Sequence, residues 1–146
     1  MGTSVSDTFA DFSASAGMPA EDFMGTIEIP GQGICATFTS QEAANNIFYH
    51  DCTLEDQVWA FEHLTPLPIG PALETFHLPR FWAAPIPREF IIATEDHSHS
   101  VALDNEFMRR LGLMMALSIV SSHSPFISRP ADLAKLLDRC ARGTLA

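Results

Sequence analysis

The first 79 residues contain no lysine or arginine, although they carry eleven aspartates and glutamates. Beyond them the balance changes, with eight basic residues against seven acidic ones in residues 80–146. The net charge of −10 repels phosphate backbones and anionic lipid surfaces, and the one local basic cluster, Arg109 and Arg110, is too small for an electrostatic footprint. A nucleic-acid partner is therefore not expected. Long apolar runs are also missing: no stretch reaches the roughly 18 uninterrupted apolar residues of a membrane span. The N-terminus, MGTSVSDTFADF, is polar and acidic where a signal peptide is basic and then apolar. MGTSVS fits the loose N-myristoylation pattern, but no second membrane signal accompanies it. These features predict a cytoplasmic chain with no membrane partner. Cysteine is scarce. Cys35, Cys52 and Cys140 are widely spaced and form no C-x-x-C pair, which argues against a disulfide framework or a zinc knuckle and predicts reduced, buried thiols.

What remains is globular in composition, 47% apolar and 18% charged over 146 residues, the size of one domain. Residues 1–39 show no strong periodicity, and IPGQGI (29–34) reads as a turn. Thr39-Ser40-Gln41-Glu42 has the form of a capping box opening a short helix to about Tyr49. Thr53-Leu54-Glu55-Asp56 repeats it, and Leu54, Val58 and Phe61 recur at helical spacing until Pro66, predicting one apolar face with Trp59 near its edge. Residues 65–87 hold six of the ten prolines and read as an extended connector.

Beyond the connector the pattern becomes β-α-β-α. Glu89–Thr94 is a continuous β-prone run, the pattern of a strand buried on both faces of a parallel sheet. Residues 101–111 read as a helix closed by Gly112, and Leu113–Val120 as a second strand. Pro130–Ala141 is amphipathic, with Leu133, Leu136, Leu137 and Cys140 on one stripe and Gly143 beyond its end. In such sheets functional groups gather beyond the carboxyl ends of the strands. Asp96 follows one strand and His123 the next. Parallel neighbours would bring them together, so the carboxylate could take the imidazole Nδ1–H and leave Nε2 as a base.

The segment REFIIATEDHSHS, a helix, a strand and then SSHSPFISRPADLAKLLDRCA resembles the C-terminal region of α/β-hydrolases, specifically the plant methylesterase and hydroxynitrile-lyase-like branch with its bacterial esterase relatives. FYHDCTLEDQVWAFEHLTPLP (48–68) resembles the end of that branch's helical lid, and GTSVSDTF resembles the segment after its sixth strand. The resemblance implies a partial α/β-hydrolase fold: residues 1–79 as an acidic lid segment, and residues 80–146 as the last two parallel strands with their flanking helices. It implies Asp96 as triad acid, His123 as triad base, a small carboxylic ester as substrate, and no metal or organic cofactor. The branch places its serine nucleophile on a G-x-S-x-G elbow upstream of the matched segments, so the chain alone is expected to be inactive. The nearest match, Ser13-Ala14-Ser15-Ala16-Gly17, lacks the strand-turn-helix context, and Ser15 is not expected to be a nucleophile.

Bland readings stand beside these. His123 could be a hydrogen-bonded loop residue, Asp96 a helix cap, and Glu95 a solvent-facing neighbour. His97-Ser98-His99 invites a metal reading with Asp96 or His123 as third ligand, but no other cluster completes it, and no metal is expected. Trp59, Phe48, Phe61 and Phe12 could line a pocket under a lid, and Trp59 is the one nominated for substrate contact. Two rivals to the ester-hydrolase reading are a complementing subunit and a self-standing small-molecule binding module. An edge of the strand at Glu89–Thr94 left unpaired would favour self-association or an N-terminal complement.

Overall fold

The computed structural model describes residues 24–73 and 77–143. Ser15 and the GTSVSDTF segment lie outside the described residues.

The IPGQGI turn joins a hairpin that periodicity did not reveal, β1 (Met24–Ile29) and β2 (Gly33–Phe38), paired antiparallel from Met24↔Phe38 to Ile29↔Gly33. Pro30 and Gly31 (φ 81°) occupy the central positions, and Gln32 N–H closes the turn on the Ile29 carbonyl at 3.0 Å. A proline followed by a residue in the left-handed region is the type II pattern, which glycine adopts without strain. The strands escaped a pattern search because only Cys35 and Ala36 are buried, so no apolar alternation marks them. The proline-rich connector is more ordered than expected. Leu67–Pro68 (β3) adds to the outer edge of β2, where a proline is tolerated, and two short helices follow, α3 (Gly70–Leu73) and α4 (Pro79–Ala83).

Helix α1 (Gln41–Ala44) is capped by Ser40 rather than Thr39: Ser40 Oγ accepts the Ala43 N–H at 3.1 Å. It runs directly into a wider π-type turn, Asn45–Tyr49. Helix α2 (Leu54–Glu62) is capped by Thr53 as the sequence indicates. Of the residues the spacing marks, only Phe61 reaches the core. Leu54 is 80% exposed and Val58 is also exposed, whereas Ala60 is buried and Phe61 packs with it against Ala44 and Tyr49. Two alanines let the helices approach closely. The spacing reported which residues are apolar, not which surface they would find. Phe38, Phe48, Leu64 and Ile127 close this small core.

Strands β4 (Ile91–Ala93) and β5 (Leu117–Ile119) pair in parallel, Ile92 opposite Ser118. The ladder extends past both, with Leu117 N–H on the Phe90 carbonyl at 2.9 Å, Thr94 N–H on Ile119 at 2.9 Å and Glu95 N–H on Ser121 at 3.1 Å. Between them α5 (Val101–Leu111) starts at the Ser100 cap and ends at left-handed Gly112. After β5 come a short turn of helix, α6 (Pro125–Ser128), and α7 (Pro130–Arg142), which packs along β5. The expectation of strands buried on both faces needs correction. β4 is only half-buried, and Met114 and Met115, expected in a strand, lie exposed before β5 begins. Among the described residues this sheet has two strands, so little material covers its faces. Leu133, Leu136 and Cys140 of α7 are half-buried, whereas Leu137 is exposed. Of the three free thiols only Cys35 is fully buried. No helix among the described residues is long and apolar enough to cross a membrane.

Candidate functional site

The loops leaving β4 and β5 meet, as parallel pairing requires. His123 Nδ1 lies 2.7 Å from Asp96 Oδ2, and the Asp96 side chain is only 6% exposed. A second tie fixes the carboxylate: Oδ1 accepts the Ser98 backbone N–H at 2.6 Å, so Asp96 turns its own loop while holding the imidazole. The Ser98 hydroxyl, fully buried, lies 2.7 Å from the same His123 nitrogen and shares its proton.

A second histidine stands at Asp96, one that the sequence singles out only as half of an H-x-H pair. His99 Nδ1 lies 3.2 Å from Asp96 Oδ2 and 3.8 Å from Asp104 Oδ1 of α5. Both carboxylates are nearly buried. Burial alone would raise the Asp96 pKa, but the hydrogen bonds from His123, His99 and Ser98 outweigh it and hold the carboxyl well below the usual range. An ionised Asp96 fixes the proton of His123 on Nδ1, because only a donor can face the carboxylate. The hydrogen bond to Asp96 raises the His99 pKa, against its burial, whereas burial raises that of Asp104. His97 does not join His99. It stacks on His50 with ring centroids 3.9 Å apart, so the imidazoles of H-x-H diverge.

The π-type turn explains how residues distant in sequence cover this site. Widening the helix releases carbonyls from the usual ladder, and side chains from the strand-end loops and from α2 take them up. His97 Nδ1 bonds the Asn46 carbonyl at 2.7 Å, Ser122 Oγ donates to Phe48 at 2.8 Å, and Gln57 Nε2 to Tyr49 at 3.1 Å. In the opposite direction His50 Nε2 bonds the Glu95 carbonyl at 2.8 Å. These ties lay the Phe48 ring on the His123 imidazole, centroids 4.4 Å apart and planes 19° from parallel. Trp59 is exposed on α2 with its ring on His63. Glu95 is exposed as expected. Phe48 and His99 gave only weak signals, an aromatic in a helix and one of a histidine pair. Neither spacing nor polarity says which of several such residues will face His123.

Chemically, the arrangement presents an imidazole oriented by a buried carboxylate, with Nε2 making no hydrogen bond to any described residue. That nitrogen can accept a proton and return it, while Asp96 stabilises the imidazolium between the two steps.

No protein-family model and no curated protein matches this sequence. Solved structures do. Polyneuridine aldehyde esterase matches with a TM-score of 0.73 at 19% identity, over 95% of this chain and 56% of that one. A methylesterase from Arabidopsis matches with a TM-score of 0.65 at 18% identity, over 82% of this chain and 52% of that one. A pyrethroid hydrolase matches with a TM-score of 0.52 at 24% identity, over 87% of this chain and 50% of that one. The chain thus spans about half the length of the solved structures it matches. Its architecture is accordingly that of part of an α/β-hydrolase fold.

Proposed function

We propose that this chain supplies the orienting acid, Asp96, and the general base, His123, of an α/β-hydrolase-type ester hydrolase acting on small carboxylic esters. The observation that carries the reading is the 2.7 Å contact between Asp96 and His123 at the carboxyl ends of two adjacent parallel strands. His123 Nε2 would take the proton of a serine hydroxyl as it attacks the ester carbonyl, then deliver that proton to the departing alkoxide. Water would repeat the sequence on the acyl intermediate. The likeness to two esterases and a pyrethroid hydrolase supports ester substrates for the whole assembly. Residues 1–79 are its lid segment, with Phe48 above the imidazole and Trp59 offered to the substrate, and residues 80–146 belong to its core.

The sequence holds no G-x-S-x-G, and nucleophile and oxyanion donors are assigned to a separate segment carrying a serine elbow. That segment would also pair with the outer edge of β4. The chain alone should leave a fluorophosphonate probe unreacted and a small activated ester unhydrolysed. Co-expressed with a segment carrying the elbow, it should confer hydrolysis that His123→Ala abolishes. Covalent labelling of Ser15 in the isolated chain would overturn the assignment of the nucleophile. Hydrolysis by the assembly that survives His123→Ala would overturn the assignment of the base.

A further inference from the structure

We propose that Asp96, His99 and His123 form a binding site for a divalent transition-metal ion, zinc being the natural candidate, and that the ion silences the base it binds. One nitrogen of each histidine and one carboxylate oxygen lie within 4.8 Å of one another. Zinc holds its nitrogen and oxygen ligands at about 2.0–2.2 Å, which sets neighbouring ligand atoms of a tetrahedral site roughly 3.3–3.5 Å apart. The 3.2 Å between His99 Nδ1 and Asp96 Oδ2 already comes within about 0.1 Å of that spacing. The 2.7 Å between His123 Nδ1 and Asp96 Oδ2 is set by a shared proton, and opens by about half an ångström once an ion replaces it.

The donor set selects the ion. Two imidazoles and one carboxylate suit zinc, cobalt, nickel or copper, whereas magnesium and calcium require oxygen cages. Electrostatics favour a cation in the same place. Asp96 and Asp104 are 6% and 7% exposed, and no lysine or arginine is paired with either among the described residues. The other histidines are poorly arranged for the role. His50 and His97 each have one ring nitrogen on a backbone carbonyl, and their stacked rings direct the remaining lone pairs along nearly parallel planes rather than toward one point.

Binding has a defined proton balance. His123 gives up its Nδ1 proton to the solvent and takes one at Nε2, remaining a neutral imidazole, while any proton on the His99 ligand nitrogen is released. Nε2 then carries hydrogen and cannot accept another proton. This consequence rests on the proposed function; the binding itself does not, and it can be read without turnover.

The test uses cobalt(II) as a spectroscopic substitute, titrated into the full chain after chelator treatment. One ion per chain should bind, with visible bands of a nitrogen and oxygen ligand field and no thiolate charge-transfer absorption. His99→Ala and His123→Ala should each weaken binding at least about tenfold, since losing even an outer-shell partner of a metal ligand costs that much. His50→Ala and His97→Ala should bind as the parent does. Thiolate bands, unchanged affinity in His99→Ala, or a loss that follows His97 would overturn the proposal. Circular dichroism checks that each variant keeps its helices. Should His99→Ala unfold, zinc added to the unaltered chain must shift the ring nitrogens of His99 and His123 together in a nitrogen-15 spectrum while those of His97 stay in place. The reverse pattern would refute the site.

Discussion

Replacing Asp96 with asparagine removes one charge while keeping the size of the side chain. The new side chain can still accept the Ser98 N–H through its carbonyl oxygen, but its amide nitrogen cannot accept from His123 or His99. Two charge-assisted contacts, at 2.7 and 3.2 Å, are lost. Bonds to a charged group contribute about 1.5–3 kcal/mol each. The amide recovers part of this by donating to His123 Nδ1 once the imidazole moves its proton to Nε2, so the net cost at neutral pH is about 2–4 kcal/mol. The sign of the pH dependence follows from the direction of the shift. Asp96 has its carboxyl depressed in the folded chain, so its contribution is complete above the unfolded value, about 3.9, and is lost as pH falls toward the folded one. Urea unfolding followed by tryptophan fluorescence, for both proteins at pH 7, 5 and 3, measures this. The gap should not shrink between pH 7 and 5, where the His99 contribution that depends on Asp96 is completed, and should narrow by about 1 kcal/mol between pH 5 and 3. Equal stabilities at pH 7, or a gap that widens between pH 5 and 3, would refute the reasoning.

His99 acts in the opposite sense. Its folded pKa is raised by the bond to Asp96, so its contribution is complete below about 6.5 and disappears as pH rises through the folded value. The parent should lose stability between pH 6 and 8 more steeply than His99→Ala in urea unfolding at pH 6, 7 and 8. Thr53→Ala deletes the hydroxyl that accepts the Asp56 N–H at 3.1 Å and should cost about 1 kcal/mol by thermal melting. Ile119→Ala, at the buried end of β5, should cost about 2–4 kcal/mol in urea. The outer edge of β4 pairs with no strand among the described residues, so sedimentation should reveal concentration-dependent association, with weak amide protection at residues 89–94. A concentration-independent monomer protected there would contradict it.

The strand-end geometry was legible because its determinants are local. A β-prone run, a polar turn, a helix with a glycine stop and a second run leave few ways to connect parallel strands, and each way carries Asp96 and His123 to the same end. The Ser40 and Gly112 caps belong to the same class, within one residue of where the sequence puts them. What could not be read depends on partners far away in the chain. The choice of Ala60 over Val58 for the core follows from how closely α1 approaches, and that is set by Ala44. The position of Phe48 over His123 follows from a π-type turn whose carbonyls are taken up by His97 and Ser122, residues 51 and 74 positions from their partners. No window of sequence contains both halves of those bonds. His99 differs from His97 only by which way a three-residue turn sends each ring, and that is decided by Asp96 bonding the Ser98 amide between them.

The most direct test of the account is the protonation pattern of one imidazole. A long-range proton–nitrogen spectrum of the chain at neutral pH, with His123 assigned by its loss in His123→Gln, distinguishes a protonated nitrogen from a bare one. The account predicts hydrogen on Nδ1, a bare Nε2, and reversal of the two in Asp96→Asn. Hydrogen on Nε2 in the unaltered chain, or a pattern indifferent to Asp96→Asn, would mean that the carboxylate does not orient the imidazole and that the pair is not an acid–base device.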